Sequence, residues 1–348
     1  MVTRSLFDPE EYYSRQVVLA ELGRKGQEKL KQSRVVVVGL GGLGTISALY
    51  LALAGVGYLR LIDHDTVELN NLHRQVLYSL DSLRYPKVEA ATERIRQVNP
   101  DVKVEAVPEN VRESNVDKLV KGMDCIVDGL DNMQTRYLLN RASVRHRIPY
   151  VFGAAIGIEG NLSVFAPPET PCLECIFPDL EDSRLPTCDT RGVLGATTGI
   201  VGSLQAMEVI KLLAEMGGSL KGKLMVCDFR DQYFTTIDVF KRPDCPVCGK
   251  KKLVKPVAEG RLAVLCGRNT VNVNPSEPIK QTLNQLHELL KGRFRILVKS
   301  SFVLVFDYGR GIEVSLFNGG RMLIKNVKDE KAALKVYASV IDLIRRKH

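Results

Sequence analysis

Two groups of residues in this chain have types and spacings that could do chemistry. The first is Gly39-Leu40-Gly41-Gly42-Leu43-Gly44. In a G-x-G-x-x-G turn the first glycine permits a sharp exit from a strand. The second lets the backbone approach a phosphate, and the third allows close helix packing. The helix that follows offers free N–H groups and a positive dipole end to an anion. Asp63 stands downstream, at the distance of about 20 residues expected of a ribose-binding carboxylate. On these residues alone a nicotinamide dehydrogenase and an ATP enzyme fit equally well.

The neighbouring runs discriminate. Upstream is Ser14-Arg15-Gln16. Downstream come Asp65-Thr66-Val67-Glu68-Leu69-Asn70-Asn71-Leu72-His73-Arg74-Gln75, then Pro86-Lys87-Val88, then Asp128-Gly129-Leu130-Asp131-Asn132. A dinucleotide dehydrogenase has no use for this set. A nucleotidyl-transfer site does, because it must neutralise a triphosphate, hold a metal and allow in-line attack at the α-phosphorus.

The second group is thiols. Cys172-Leu173-Glu174-Cys175 and Cys245-Pro246-Val247-Cys248 are two C-x-x-C pairs. Each can fill two tetrahedral positions on one zinc ion, and four thiolates close the shell of a structural site. Pro171, Pro246 and Gly249 suit tight turns beside them. A redox C-x-x-C is the rival reading for either pair alone. Cys188 stands apart in Leu185-Pro186-Thr187-Cys188-Asp189-Thr190-Arg191-Gly192, which reads as a polar loop. Near Arg184 and Arg191 it is either a nucleophile with a lowered pKa or a simple exposed thiol. Cys125, Cys227 and Cys266 lie in apolar strand patterns and read as packing residues.

These residues need a scaffold. Residues 11–31 carry helical spacing, and 35–38 are four valines, a buried parallel strand. A helix over 46–54 and a strand over 58–63 complete a βαβ unit. Strands at 102–106 and 125–128 alternate with helices at 87–97 and 135–146. Residues 156–165, 224–228 and 235–240 read as later strands. The expected fold is α/β, a doubly wound, mainly parallel, Rossmann-like sheet. A Lys-rich stretch with Pro256 marks a boundary, giving residues 1–254 as one domain and 255–348 as a second, smaller α+β domain. Strands at 262–266 and 270–273, a helix at 279–290, four strands ending near 326 and a helix over 329–346 follow in an order that resembles one repeat of the TATA-binding-protein fold. Topology alone carries no function.

Bulk composition narrows the classes. The 348 residues suffice for two domains, and 45% hydrophobic with 26% charged is ordinary for a soluble globular chain. The net charge of +9 comes from scattered Lys and Arg, which reads as a solvated surface and leaves nucleic-acid binding disfavoured. The N-terminal residues carry Asp8, Glu10 and Glu11 with no apolar run, unlike a signal peptide. Residues 193–216 contain Gln205, Glu208, Lys211 and Glu215, so they read as a buried or amphipathic helix and no membrane span is expected. The expected compartment is the cytoplasm.

Taken together in this order, the runs over residues 10–250 resemble the family of MoeB, ThiF, HesA and the adenylation domains of ubiquitin-activating enzymes. The resemblance implies that ATP lies over the glycine turn, contacting Gly39, Gly41, Gly42 and Gly44. The C-terminal Gly-Gly carboxylate of a small ubiquitin-like or sulfur-carrier protein would attack its α-phosphate. Asp63 would bind the ribose. Arg74 and Lys87 would neutralise phosphates, with Asn71 positioning them and Asp65, Gln75 and Asn132 completing the cradle. Asp131 would hold Mg2+, with His73 only a spacer. Arg15 would be an arginine finger for a neighbouring subunit, implying a homodimer. The resemblance agrees with zinc at Cys172, Cys175, Cys245 and Cys248. It implies thioester or persulfide chemistry at Cys188, although many relatives follow this cysteine with small residues where this chain has Asp-Thr-Arg. Residues 255–348 show no catalytic motif and could serve packing, dimer support or docking of a carrier or conjugating enzyme. A nicotinamide-dependent oxidoreductase and a nucleic-acid-binding protein are the competing functions.

Overall fold

A computed structural model of the chain describes residues 7–250, 262–265, 269–275 and 277–345, without the side chains of 188, 189 and 262–265. The described residues fall into two compact units. The first draws on Met1–His64, Glu68–Asp81 and Lys87–Val257. The second draws on Asp65–Val67, Ser82–Pro86 and Ala258–His348. The boundary expected at 254/255, and Cys266, lie outside the described residues.

The first unit opens with helices α1 (Pro9–Tyr12), α2 (Ser14–Val17) and α3 (Gly23–Gln32). The single helix expected over 11–31 is thus broken. Tyr13 leaves helical geometry at ψ 4°, and Gly23 adopts φ +57°, a left-handed backbone that ends the intervening turn. Strand β1 (Arg34–Val38) then leads through the glycine turn into α4 (Gly42–Leu53). After it come β2 (Tyr58–Ile62), α5 (Lys87–Val98), β3 (Lys103–Val107), α6 (Val116–Val120), β4 (Cys125–Asp128) and α7 (Met133–His146). Next are β5 (Tyr150–Ile156), β6 (Glu159–Phe165), α8 (Leu173–Ile176), α9 (Cys188–Arg191), α10 (Gly195–Leu213), β7 (Lys223–Asp228) and β8 (Tyr233–Asp238).

The described strands form an eight-stranded sheet in the order β3-β2-β1-β4-β5-β6-β7-β8. Pairing from β3 to β5 is parallel, and from β5 to β8 antiparallel. Val35 to Val38 are at most 1% exposed, as helices on both faces of a parallel sheet require. On one face α10 packs on α4, where Gly202 leaves no room for a Cβ beside Ile46 and the carbonyl of Leu43. On the other, Leu138, Leu139 and Ala142 of α7 join a core with Val36, Val38 and Ile126. The strand expected over 156–165 is instead the second arm of a hairpin. Gly157, at φ +57°, turns the chain between Ile156 and its register partner Glu159.

The second unit contains β9 (Leu262–Leu265), β10 (Thr270–Val273), α11 (Leu283–Leu290), β11 (Arg295–Lys299), β12 (Val303–Gly309), β13 (Ile312–Phe317), β14 (Met322–Lys325) and α12 (Glu330–Arg345). Its described strands form an antiparallel sheet in the order β11-β12-β13-β14-β10-β9. Both helices pack with Val271, Phe306, Leu316 and Ile324. Val303, Val305, Phe317 and Leu323 form a separate buried cluster. The helix expected from 279 starts at Leu283, because Thr282 and Gln285 form a reciprocal capping box. Among the described residues no helix is long and apolar enough to cross a membrane.

Candidate functional site

Sheet order reverses between β1 and β4, and in open α/β sheets ligands bind where it does, beyond the carboxyl ends of the strands. Gly39 follows β1 and Gly129 follows β4. A Cβ on Gly39, whose φ is +84°, would lie 2.6 Å from the Gly129 carbonyl oxygen. One on Gly129 would lie 2.1 Å from that of Gly39, and one on Gly44 only 1.8 Å from the same atom. The turn is therefore interlocked backbone on backbone. Gly41 differs: its nearest neighbour would be 3.7 Å from a Cβ. It stands at the N-cap of α4, where no side chain caps the helix, so the first N–H groups remain for an anion. The sequence placed the start of this helix at 46; it starts at Gly42, directly off the turn.

Asp63 is buried and accepts a hydrogen bond at 2.7 Å from the Leu40 N–H. The carboxylate expected at a ribose thus pins the turn. Tyr78 donates to the Leu40 carbonyl at 2.9 Å. The α10 N-terminus completes the wall. A Cβ on Gly42 would sit 2.8 Å from Thr198, and one on Gly195 would sit 2.5 Å from the His73 carbonyl. That second contact brings the His73-Arg74 turn to the start of α10. Arg74 Nη1 donates to the Asn70 carbonyl at 2.8 Å and lies 2.7 Å from His73 Nε2, so the residue expected to be only a spacer is a direct neighbour of the guanidinium. Asn71 is buried in a capping box with Glu68. Gln75 is buried, and its Oε1 has no hydrogen-bond partner among the described residues, leaving an acceptor for a ligand N–H or O–H. Lys87 is buried at the start of α5, and Asp65 accepts from the Thr66 N–H at 2.8 Å.

On the β4 side Asp128 is fully buried. Its carboxylate accepts from Arg136 Nε at 3.0 Å, the Tyr150 hydroxyl at 2.6 Å and the Leu130 N–H at 2.9 Å. Burial pushes the Asp128 carboxyl above its usual range, against the opposing pull of Arg136. Arg136 also donates to the carbonyls of Leu130 and Gly153. This network fixes the turn that presents Asp131, which is exposed and accepts from Asn132 Nδ2 at 3.2 Å. Asn132 caps α7 through the Thr135 N–H, which moves the helix start from the expected 135 to Met133. Asp182 reinforces the cap from the Met133 and Gln134 N–H groups. Sequence reading missed Arg136, Tyr150, Asp182, Gly195 and Thr198, none of which carries a local signal, and it gave Gly129 no role of its own within the quoted run. Arg136→Ala should strand a buried carboxylate and lower unfolding free energy by about 3–5 kcal/mol. Urea denaturation checks this, and a loss below about 1 kcal/mol would refute the assigned role.

Arg15 lies elsewhere, exposed on α2. Its neighbours anchor the segment: Tyr13 accepts from Asn99 Nδ2 at 2.7 Å, and Gln16 donates to the Ala54 carbonyl at 2.9 Å. Cys188 does not lie in an open loop but begins the one-turn helix α9. The end of that segment is held by an Arg191–Glu159 ion pair at 2.5 Å and a Gly157–Gly192 backbone hydrogen bond at 2.8 Å. The Cys188 side chain is outside the described ones.

The four paired cysteines do come together. All four Sγ atoms lie within 4.8 Å of one another, with Cys172–Cys245 at 3.7 Å and Cys175–Cys248 at 3.3 Å. A tetrahedral zinc site with bonds of about 2.3 Å needs sulfurs about 3.8 Å apart, so the donors fit one ion. Hydrogen bonds from Cys172 and Cys248 hold the Cys175 thiol well below its usual range. The Arg242 N–H also points to Cys175 Sγ at 3.5 Å. A Cβ on Gly249 would strike the Cys245 carbonyl at 2.4 Å, which is the tight turn this knuckle requires. Cys125 and Cys227 are buried at 0% and 1% exposure, as packing residues should be.

A model of the ThiF family matches residues 13–247. A protein of Haloferax volcanii named SAMP-activating enzyme E1 is 46% identical over 239 residues, 68% of this chain and 88% of that protein. A Culex quinquefasciatus protein named adenylyltransferase and sulfurtransferase MOCS3 is 41% identical over 238 residues, 68% of this chain and 54% of its own length. The chain thus matches only about half of that longer relative. The solved structure of E. coli MccB with ATP superposes with a TM-score of 0.61 at 26% identity, over 68% of this chain and 74% of MccB. Nothing in these comparisons favours a nicotinamide-dependent oxidoreductase.

Proposed function

The chain belongs to the ThiF family, and from that premise we propose that it uses ATP to adenylate the C-terminal glycine carboxylate of a small ubiquitin-like or sulfur-carrier protein. One observation carries the reading: the interlocked glycine turn at the β1–β4 switch, with an uncapped α4 N-terminus and the His73-Arg74 turn held against Gly195. It provides an anion cradle with cationic and anionic groups on either side.

A carboxylate oxygen of the carrier attacks the α-phosphorus. The new P–O bond forms as the bond to pyrophosphate breaks. The nucleophile is already ionised at neutral pH, so no general base is needed and charge stabilisation carries the catalysis. Arg74 and Lys87 bind phosphate oxygens, Asn71 and Gln75 orient them, and Asp63 receives the ribose. Asp131, beside Asn132, would hold Mg2+; that ion, when bound, offsets charge on the triphosphate. Asp65 is a further nucleotide contact. Arg15 reaches the site of a second copy in a homodimer. Its exposure supports this, as does that of the adjacent Val18 and Leu19, at 77% and 50%. Cys172, Cys175, Cys245 and Cys248 would hold one structural Zn2+.

The Cys188 thiol first gives its proton to water, and the thiolate then attacks the adenylate carbonyl. A C–S bond forms as the C–O bond to AMP breaks, and AMP leaves with that bond's electron pair. The thioester goes to a conjugating enzyme or to sulfur chemistry, all in the cytoplasm, where ATP and reduced thiols coexist. The test is ATP–pyrophosphate exchange with small carriers ending in Gly-Gly. Exchange should require a carrier, and Cys188→Ala should preserve it while removing any reducible carrier adduct. ATP binding without exchange for any carrier of the source genome would overturn the proposal. Loss of exchange in Cys188→Ala would overturn the assignment of that thiol to the second step.

A further inference from the structure

We propose that Lys325 and Glu313 are positioning residues for the nucleotide, acting through Thr66 and Arg84 on Asp65 and Lys87. Within the second unit, Thr66 and Pro86 form an antiparallel bridge. Two backbone hydrogen bonds extend it, Val67 N–H to the Tyr85 carbonyl and Arg84 N–H to the Val67 carbonyl, both at 2.9 Å. These short arms are held to the antiparallel sheet by two neighbouring side chains. Lys325 Nζ donates to Thr66 Oγ1 at 2.7 Å, and Arg84 Nε donates to Glu313 Oε2 at 2.7 Å. Glu313 and Lys325 are register partners on β13 and β14, so one cross-strand pair grips both arms.

The burial argues against an incidental contact. Thr66 is 0% exposed and Lys325 8%. Lysine is almost never buried this far unless its ammonium is satisfied, so Thr66 is a specific partner and not a chance neighbour. The Arg84 pair is looser, since the Arg84 side chain is 48% exposed, and should matter less.

The consequence follows from chain connectivity. Thr66 is bonded to Asp65, and Pro86 to Lys87. Adjacent Cα atoms are fixed about 3.8 Å apart, so the bridge cannot shift without carrying the Asp65 carboxylate and the root of the Lys87 side chain. Displacing a catalytic group by about 1 Å can cost about a hundredfold in rate. The antiparallel sheet thereby acquires a task, through the Thr66–Pro86 bridge that it holds.

The inference depends on the nucleotide reading above, and the experiment separates the two. Binding of a fluorescent ATP analogue, and KM for ATP and for the carrier, are measured on the full chain and on Lys325→Met, Thr66→Ala and the double variant. Methionine keeps the apolar stem of Lys325 and removes the ammonium, so the fold is retained; thermal unfolding of each variant checks it. Each single variant should weaken analogue binding and raise KM for ATP about tenfold, leaving KM for the carrier within about twofold. The double variant should be no worse than the weaker-binding single. Wild-type affinity in both single variants would overturn the positioning role. So would multiplying effects, or equal losses in both KM values. Failure of the unmodified chain to bind the analogue would instead refute the nucleotide reading itself.

Discussion

Asp131→Ala is expected to lower carrier-dependent ATP–pyrophosphate exchange by at least about a hundredfold, with little change in thermal stability. The expectation has two sources. Asp131 is exposed and its carboxylate accepts from Asn132 Nδ2, so its loss removes little packing. Its position, however, is set by an expensive arrangement: the buried Asp128, Arg136 and Tyr150 hold the turn that presents it. Asp131→Asn keeps the size and an acceptor for Asn132 but lacks the charge to hold a divalent cation. It should lose nearly as much exchange, and ATP binding measured without magnesium should be almost unchanged. Exchange within about tenfold of wild type in Asp131→Ala would remove this residue from the metal side of the site.

The second large effect concerns stability. Removing zinc, or replacing Cys245 by Ser, should lower the thermal midpoint by about 10–20 °C, corresponding to at least about 5 kcal/mol. Cys245 is fully buried and joins residues 73 positions apart in sequence through the contact with Cys172. Without a metal, four crowded thiols must share protons in a buried pocket, and the knuckle at Gly249 loses the load it was shaped to bear. Elemental analysis should find one zinc per chain in the parent and in Cys188→Ser, and almost none in Cys245→Ser. A parent without metal, or a midpoint insensitive to a strong chelator, would contradict a structural zinc centre.

The glycine turn, Asp63 and the valine strand were legible in the sequence because they are local: one strand, one turn and one helix in immediate succession. The cysteine pairs were legible because metal chemistry imposes a short spacing. What could not be read was how distant segments complete the cradle. Gly129 and Gly195 look like ordinary loop and helix glycines until the fold sets them against Gly39 and His73. Arg136 looks like one basic residue on a helix, and only the parallel pairing of β1 with β4 and β4 with β5 brings Asp128 and Tyr150 to it. Element ends failed for related reasons. Hydrophobic periodicity ran through residues 11–31, whereas Gly23 in the left-handed region breaks the helix. Alternation over 156–165 concealed the turn at Gly157, because both arms of that hairpin share the same period.

The Gly39, Gly44 and Gly129 interlock also bears on how such a site could change over generations. Each of these positions is closed by the backbone of another, so no larger residue at one can be accommodated by shrinking a neighbour: the neighbours are already glycine. Compensatory mutation, the usual route by which packed regions drift, is blocked there in every direction. Variation that redirects the chemistry toward a different acyl acceptor must therefore accumulate in the surrounding side chains, while the three bare positions are inherited together or lost together.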